Sequence, residues 1–297
     1  MSALEFEGIR RAYRRGHDVL DGVTFSVEPG QVVGLLGKNG AGKTTLIRIA
    51  MGMIEPQGGR VRVLGLDPRK DPVEVKRRVG YVSEDQILPP FLAVRGVFDL
   101  HRSLFPTWDE ELAIELSRGF ELPLGSRIRT LSKGQARRVA LVCAVAHRPE
   151  MLLLDEPASG LDPAARREFL ETSIRLLNET GSSILFSSHY MTDVERLADR
   201  IVMIHGGKVL VDSGLDDLRE RFSLAVVPGA SGVAAGRVLS LAACVSVRER
   251  AGSLHAILRL EPAEARAALA REIGVADVPC RAIALEDLFV ELAGGRS

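Results

Sequence analysis

The segment "VVGLLGKNGAGKTTLIRIA" constrains this chain more than any other. The apolar run Val32 to Leu36 has strand character and passes directly into Gly37-Lys38-Asn39-Gly40-Ala41-Gly42-Lys43-Thr44, followed by Thr45 and an apolar helical stretch. A Gly-rich turn alone says little, but a strand before it and a helix after it give the P-loop pattern its required context. The glycines let successive backbone N–H groups turn inward around phosphate oxygens. Lys43 is then placed to reach β and γ phosphates, and Thr44 offers its hydroxyl to Mg²⁺.

Short apolar strands alternate with helical stretches along the chain, the pattern of an α/β protein. The expected strands are Leu4–Ala12, Val19–Val27, Val32–Leu36, Val61–Leu64, Val79–Val82, Met151–Asp155, Ile184–Ser187, Ile201–His205 and Lys208–Val211, the last two joined as a hairpin at Gly206-Gly207. Strand patterns vanish between Leu88 and Arg129. There "TWDEELAIELSRGF" offers Thr107 and Glu110 as a capping box and an apolar face at Leu112, Leu116 and Phe120, so about 88–148 reads as a helical insert. After about Arg219 the composition shifts to Ala, Val and Gly. The expected domains are therefore 1–219 and 220–297, the second a small α+β unit ending in the amphipathic helix "LEDLFVELAG", with Leu285, Leu288, Phe289 and Leu292 on one face.

A hydrophobic content of 46% over 297 residues supports a sizeable core. Basic and acidic side chains number 39 each, so no general charge attracts a polyanion and no nucleic-acid partner is expected; Arg10, Arg11, Arg14 and Arg15 read as solvated surface. Cys143, Cys244 and Cys280 are far apart without a CxxC pair, which suits reduced thiols in the cytosol. The opening "MSALEFEG" has neither basic flank nor apolar core, so no secretory signal is expected. The apolar run Val139 to Ala146 falls short of the roughly 18 residues that span a bilayer, so a membrane role would come through a partner.

A P-loop needs a metal-holding carboxylate at the end of another core strand, and "MLLLDEP" supplies one. Asp155 and Glu156 follow four apolar residues, where Asp155 would hold Mg²⁺ and Glu156 could polarise an attacking water. In "TLSKGQARRVALVCAVAHRP", Ser132 and Gln135 form a capping box at a helix running toward His147. That helix start either caps its own helix or presents unpaired N–H groups to another molecule's phosphate. "SGLDP" reads as a loop with Asp162 as N-cap and Pro163 first in a helix. His189, after "SILFSS", is either a satisfied histidine near a strand end or a group on the sheet edge of the P-loop; Thr192 and Glu195 suggest a capping box just beyond it.

Taken in order, these elements resemble the ATP-binding cassette (ABC) family over roughly Leu4 to Asp212. The resemblance implies a P-loop ATPase core with an antiparallel β subdomain and a helical insert, using ATP and Mg²⁺. It makes "LSKGQ" the family signature, Tyr13 the aromatic stacking on adenine, Glu156 the catalytic carboxylate, Asp162 part of a loop coupling two sites, and His189 the γ-phosphate sensor. Such domains pair head to tail, with themselves or a related subunit, so Ser132, Gly134 and Gln135 would meet the partner's γ-phosphate. Two positions depart from the family pattern. Lys133 replaces a glycine, and in "GYVSEDQ" Glu84 stands where a glutamine is common, with Gln86 a possible substitute after a loop shift. A carboxylate ligates Mg²⁺ or accepts hydrogen bonds but does not donate as an amide does, so Glu84 is expected to act on the metal or on coupling to a permease. "FPTWDEE", Glu84 and the closing "LEDLFVEL" are similar to exporter-type ATPases that serve a separately encoded membrane permease from its cytoplasmic side. The alternatives are a soluble ABC ATPase in nucleic-acid or translation work, which normally carries a second cassette or a long insertion, and an unrelated P-loop kinase or GTPase, which leaves "LSKGQ" unexplained.

Overall fold

The computed structural model describes residues 2–14, 17–85, 88–284 and 286–289, and the chain divides into two compact units, Met1–Asp212 and Ser213–Ser297. The first unit opens with β1 (Leu4–Arg14), β2 (His17–Val27), β3 (Val32–Leu36), α1 (Lys43–Ala50), β4 (Gly58–Val63), α2 (Pro72–Arg78) and β5 (Val79–Val82). Three α-helices follow with no strand between them: α3 (Val94–Leu104), α4 (Glu110–Gly119) and α5 (Lys133–Val145). Alternation then resumes with β6 (Met151–Leu154), α6 (Pro163–Thr180), β7 (Ser183–Ser188), α7 (Met191–Leu197), β8 (Arg200–His205) and β9 (Lys208–Gly214). Each strand expected from the apolar pattern forms; β4 starts earlier than its apolar residues suggest because Gly58 and Arg60 pair with Arg10 and Glu7 of β1.

Two sheets organise this unit. The strand order β2-β1-β4 makes an antiparallel sheet, and β5-β6-β7-β3-β8-β9 makes the main sheet, parallel from β5 to β8. Every residue of β3, β6 and β7 is buried, which is why β3, β6 and the Ile184–Phe186 centre of β7 read as apolar runs rather than alternating ones, with Ser183, Ser187 and Ser188 buried at the ends of β7. Val33, Leu35, Leu153, Leu185, Val202 and Ile204 share one core with Leu46 and Ile47 of α1 and with Phe6, Leu20 and Phe25 of the antiparallel sheet. Truncating one of these, Leu153→Ala for example, costs about 2–5 kcal/mol. On the other face α7 lies so close to β3 that a Cβ at Gly34 would stand 2.3 Å from Val194 Cγ1. The parallel strands all end on one edge, so the loops after β3, β6 and β7 meet there, with β7 between the other two.

Two expected caps are corrected. Asp109, not Thr107, starts α4: its carboxylate accepts from Leu112 N at 2.9 Å and is fixed by Arg148 at 2.6 Å. Its charge makes it the better acceptor at a helix start, while the Thr107 hydroxyl donates to His147 O at 2.8 Å. Thr192 lies inside α7, which starts at Met191 without a side-chain cap, because Ser188 Oγ already closes the loop by accepting from Tyr190 N at 3.0 Å. Ser132 and Gln135 do form the full capping box of α5, and Asp162 accepts from Ala165 N at 3.0 Å in the first turn of α6.

The second unit contains α8 (Leu215–Arg221), β10 (Ser223–Pro228), α9 (Ala235–Leu239), β11 (Cys244–Arg250), β12 (Ser253–Leu258), α10 (Pro262–Ala268) and β13 (Cys280–Ala282). Its strands pair antiparallel in the order β11-β12-β10-β13, a split βαβ arrangement of the ferredoxin-like type. Ala225, Val227, Val238, Ala256, Leu258 and Leu269 form its core. Of the expected closing helix, residues 286–289 are helical with Leu288 and Phe289 buried; Leu285 and Leu292 lie outside the described residues. Cys143, Cys244 and Cys280 are free thiols.

Candidate functional site

The loop after β3 builds the first wall of the site. Gly42 enters α1 at φ 106°, a left-handed conformation suited to glycine, and a Cβ there would lie 2.5 Å from Leu20 Cδ2. The first turn of α1 has no acidic residue and no side-chain cap, so its N–H groups remain for an acceptor from outside the helix. Lys43 is only 5% exposed; its Nζ donates to Gly37 O at 2.7 Å and pairs with Glu156 Oε1 at 3.1 Å.

The ends of β6 and β7 supply the opposite wall. Asp155 is 1% exposed, and its Oδ1 accepts from Thr44 Oγ1 at 3.1 Å and from Ser187 Oγ at 2.9 Å. Burial pushes the Asp155 carboxyl above the usual carboxylate range, with the nearby Glu156 and Glu84 charges adding to it, while the bonds from Ser187 and Thr44 pull the other way. A cation would relieve that burden, and a hydroxyl beside a carboxylate is the hard-oxygen pair that suits Mg²⁺. Among the described residues no group of three or more His, Cys, Asp or Glu could hold a metal. That donor set fits an ion carried partly on phosphate oxygens, as Mg²⁺ usually is, rather than one caged by protein.

Glu156 follows in the left-handed region at φ 46°, with its N–H donating to Ser187 Oγ at 2.8 Å. Its Oε2 lies 2.8 Å from His189 Nδ1, so the carboxylate is held between Lys43 and His189. Glu84 accepts from Ser159 Oγ at 3.2 Å. Tyr13 is more than half exposed, its hydroxyl 3.4 Å from Thr45 Oγ1 and the Arg11 guanidinium 5.3 Å from its ring centre.

These groups share one cleft of about 680 Å³, lined by Tyr13, Asn39, Gly40, Ala41, Gly42, Lys43, Thr44, Thr45, Glu84, Glu156 and His189 among others. Gly37 supports it through Lys43, and Asp155 through Thr44. Ser132, Gly134, Gln135 and Asp162 do not line it. Ser132 and Lys133 stand exposed at the start of α5, so the structure leaves that helix end facing outward from its own chain's cleft lining. Sequence reasoning missed Ser187, which links Asp155 to the Glu156 backbone, and Ser159, which holds Glu84. For Ser187 a signal existed: two small polar residues closing the apolar strand "SILFSS" leave room and a hydroxyl beside the neighbouring strand's acids.

Residues 20–159 match the model of the ABC transporter family. The chain is 30% identical over 306 residues to the daunorubicin resistance ATP-binding protein DrrA3 of Streptomyces coeruleorubidus, covering 99% of this chain and 96% of that protein. It is 32% identical to the Nod factor export ATP-binding protein I of Rhizobium etli, covering 73% of this chain and 70% of that one. A solved structure of the ATP-binding subunit of an ABC transporter superimposes with a TM-score of 0.66 at 31% identity, covering 73% of this chain and 92% of the other. The family match over residues 20–159, the full-length relative and the shared fold place the chain in the ABC transporter family as an ATP-binding, ATP-hydrolysing subunit.

Proposed function

We propose that this chain is the ATPase of an exporter, acting as a MgATP-driven dimer beneath a separately encoded permease at the cytoplasmic face of the membrane. The observation that carries the reading is the division of the motifs. One cleft is lined by Asn39 to Thr45, Glu156 and His189, with Asp155 bonded behind Thr44, while the capped, exposed start of α5 is excluded from its lining. A head-to-tail pair brings the two halves together, each cleft facing the Ser132, Gly134 and Gln135 of its partner.

In this reading Asn39 to Thr45 surround the phosphates and Tyr13 stacks on adenine. Lys43, now bonded to Glu156, turns its charge to the phosphate. Glu156 is thereby released to take a proton from the attacking water, with His189 holding its other oxygen and sensing the γ-phosphate. Thr44 and Asp155, bonded to each other here, would hold Mg²⁺, and that ion when bound would supply charge neutralisation at the phosphate oxygens. Glu84 acts on that metal or on the permease, and Asp162 belongs to the loop that couples the two sites. Export is supported by relatives named for drug resistance and for Nod factor export. Among the described residues no helix is long and apolar enough to cross a membrane, and the pathway is assigned to the permease.

Copurification from membranes tests this function. The expected result is an integral membrane protein that retains the chain and accelerates its ATP hydrolysis in vesicles. Recovery with ribosomes or nucleic acid, and with no membrane protein, would contradict it.

A further inference from the structure

Arg137 lies one turn into α5, behind the signature, and its guanidinium bonds to segments outside that helix. Nη1 donates to Glu156 O at 3.1 Å and Pro157 O at 2.8 Å, and Nη2 donates to Glu84 O at 2.9 Å. All three acceptors are backbone carbonyls on two separate segments, one after β6 and one after β5. The side chain is half-buried, and it makes no ion pair among the described residues. Burial works against its charge, while Glu84, Asp85 and Glu156 surround it with a favourable field.

Glu156 needs such support. A non-glycine residue at φ 46° persists only where its surroundings over-determine it. Ser187 holds its N–H, and Arg137 together with Ser159 N holds its carbonyl. The Glu84 loop is tied to the same place twice, by Arg137 at its backbone and by Ser159 at its carboxylate. A lysine carries the charge but not the planar fork that bonds two segments at once.

We propose that Arg137, although carried on the signature helix, is a positioning residue for the ATP site of its own chain: it fixes the Glu156 backbone and the Glu84 loop, and through them the attacking-water side of the cleft. The proposal rests on the reading of Glu156 as the base and of the signature as acting on the partner. It means that α5 touches both sites of a dimer, one through its N-terminus and the other through Arg137.

The test compares the full chain with Arg137→Lys and with Arg137→Gln, the second a neutral variant that relieves the buried charge if the first folds poorly. Each is measured for kcat, KM for MgATP and melting temperature. The expected result is a kcat lower by on the order of tenfold to a hundredfold, as for a misplaced reacting group, with KM within about twofold. A lysine variant with wild-type kcat, or variants in which kcat, affinity and melting temperature fall together, would overturn the proposal. Arg137→Lys is then mixed with Lys43→Ala. Only the Arg137→Lys chain offers an intact P-loop there, so activity should stay low. Recovery to the level of wild type mixed with Lys43→Ala would show that Arg137 acts only through the partner's site, and would also overturn the proposal. A parallel mixture of Gly134→Asp with Lys43→Ala should recover; its failure would count against the head-to-tail reading, while the kcat and KM split still decides whether Arg137 positions Glu156.

Discussion

Replacing Glu156 with glutamine keeps the size of the side chain and removes one negative charge from a group that is 7% exposed. In the structure that charge sits 3.1 Å from Lys43 Nζ and 2.8 Å from His189 Nδ1. An amide in its place cannot accept the proton of an attacking water, and removal of a general base slows a reaction by about 10²–10⁴-fold. That corresponds to about 2.7–5.4 kcal/mol of barrier. The neutral side chain also competes less for Lys43, and no longer repels phosphate, so MgATP affinity should be equal or tighter. Single-turnover hydrolysis gives the first quantity and equilibrium binding the second. Closed dimers would no longer be discharged, so light scattering should show this variant as a dimer in saturating MgATP. Hydrolysis within about threefold of wild type, under 1 kcal/mol of barrier, would refute the role given to Glu156. Scattering that showed only monomer with nucleotide bound would refute dimer closure.

Lys43→Ala removes a charge-assisted phosphate contact worth about 1.5–3 kcal/mol, and it also strips the buried Glu156 of its cation. Calorimetry should show roughly a tenfold to hundredfold weaker affinity for ATP, with a lower melting temperature; unchanged affinity and hydrolysis would refute the phosphate role of the loop. Glu84→Gln keeps the shape that accepts from Ser159 but changes charge and donor capacity, so Mg²⁺ dependence or permease-stimulated turnover should change with little effect on nucleotide affinity. No change in any of these would leave Glu84 an ordinary surface acid. Arg69 holds the Asp67 carboxyl down at about 2, so the pair adds stability above the ordinary carboxylate range and loses it as the pH falls toward 2. In Arg69→Ala, NMR titration should move Asp67 upward toward the ordinary carboxylate range, with the residue-69 backbone N–H still bonded to it, and the acid-side loss of stability should shrink; an unmoved titration would contradict the assignment.

Much of the architecture could be read from the sequence because its signals are local. The apolar runs of β3, β6 and β7 pass straight into the loops that carry Lys43, Asp155 and His189, so one continuous stretch identifies both the strand and its cargo. The capping box at Ser132 is local in the same way. Competition between neighbouring caps is not: Thr107 and Asp109 both suit a helix start, and a charge partner 39 residues away at Arg148 decides between them. Ser159 and Arg137 leave no local signal for the related reason that each acts across loops distant in the chain, and the small polar pair that closes "SILFSS" marks Ser187 without naming its partners Asp155 and Glu156. Nor does spacing disclose that Lys43 and His189 both engage Glu156, since the three residues follow three different strands.

The central claim is that the helix start at Ser132 serves the nucleotide of another chain, and complementation between two damaged chains tests it most directly. Gly134→Asp places a carboxylate where the partner's γ-phosphate would lie, and Lys43→Ala disables the P-loop; each variant alone should be inactive. In a mixed dimer read head to tail, one site carries both defects and the other neither. With a control mixture of wild type and Lys43→Ala establishing the turnover of a single intact site, and crosslinking confirming mixed dimers, ATP hydrolysis should return to about that level. Persistent inactivity of the mixed dimers would contradict the claim and return Ser132 to the single role of capping its own helix.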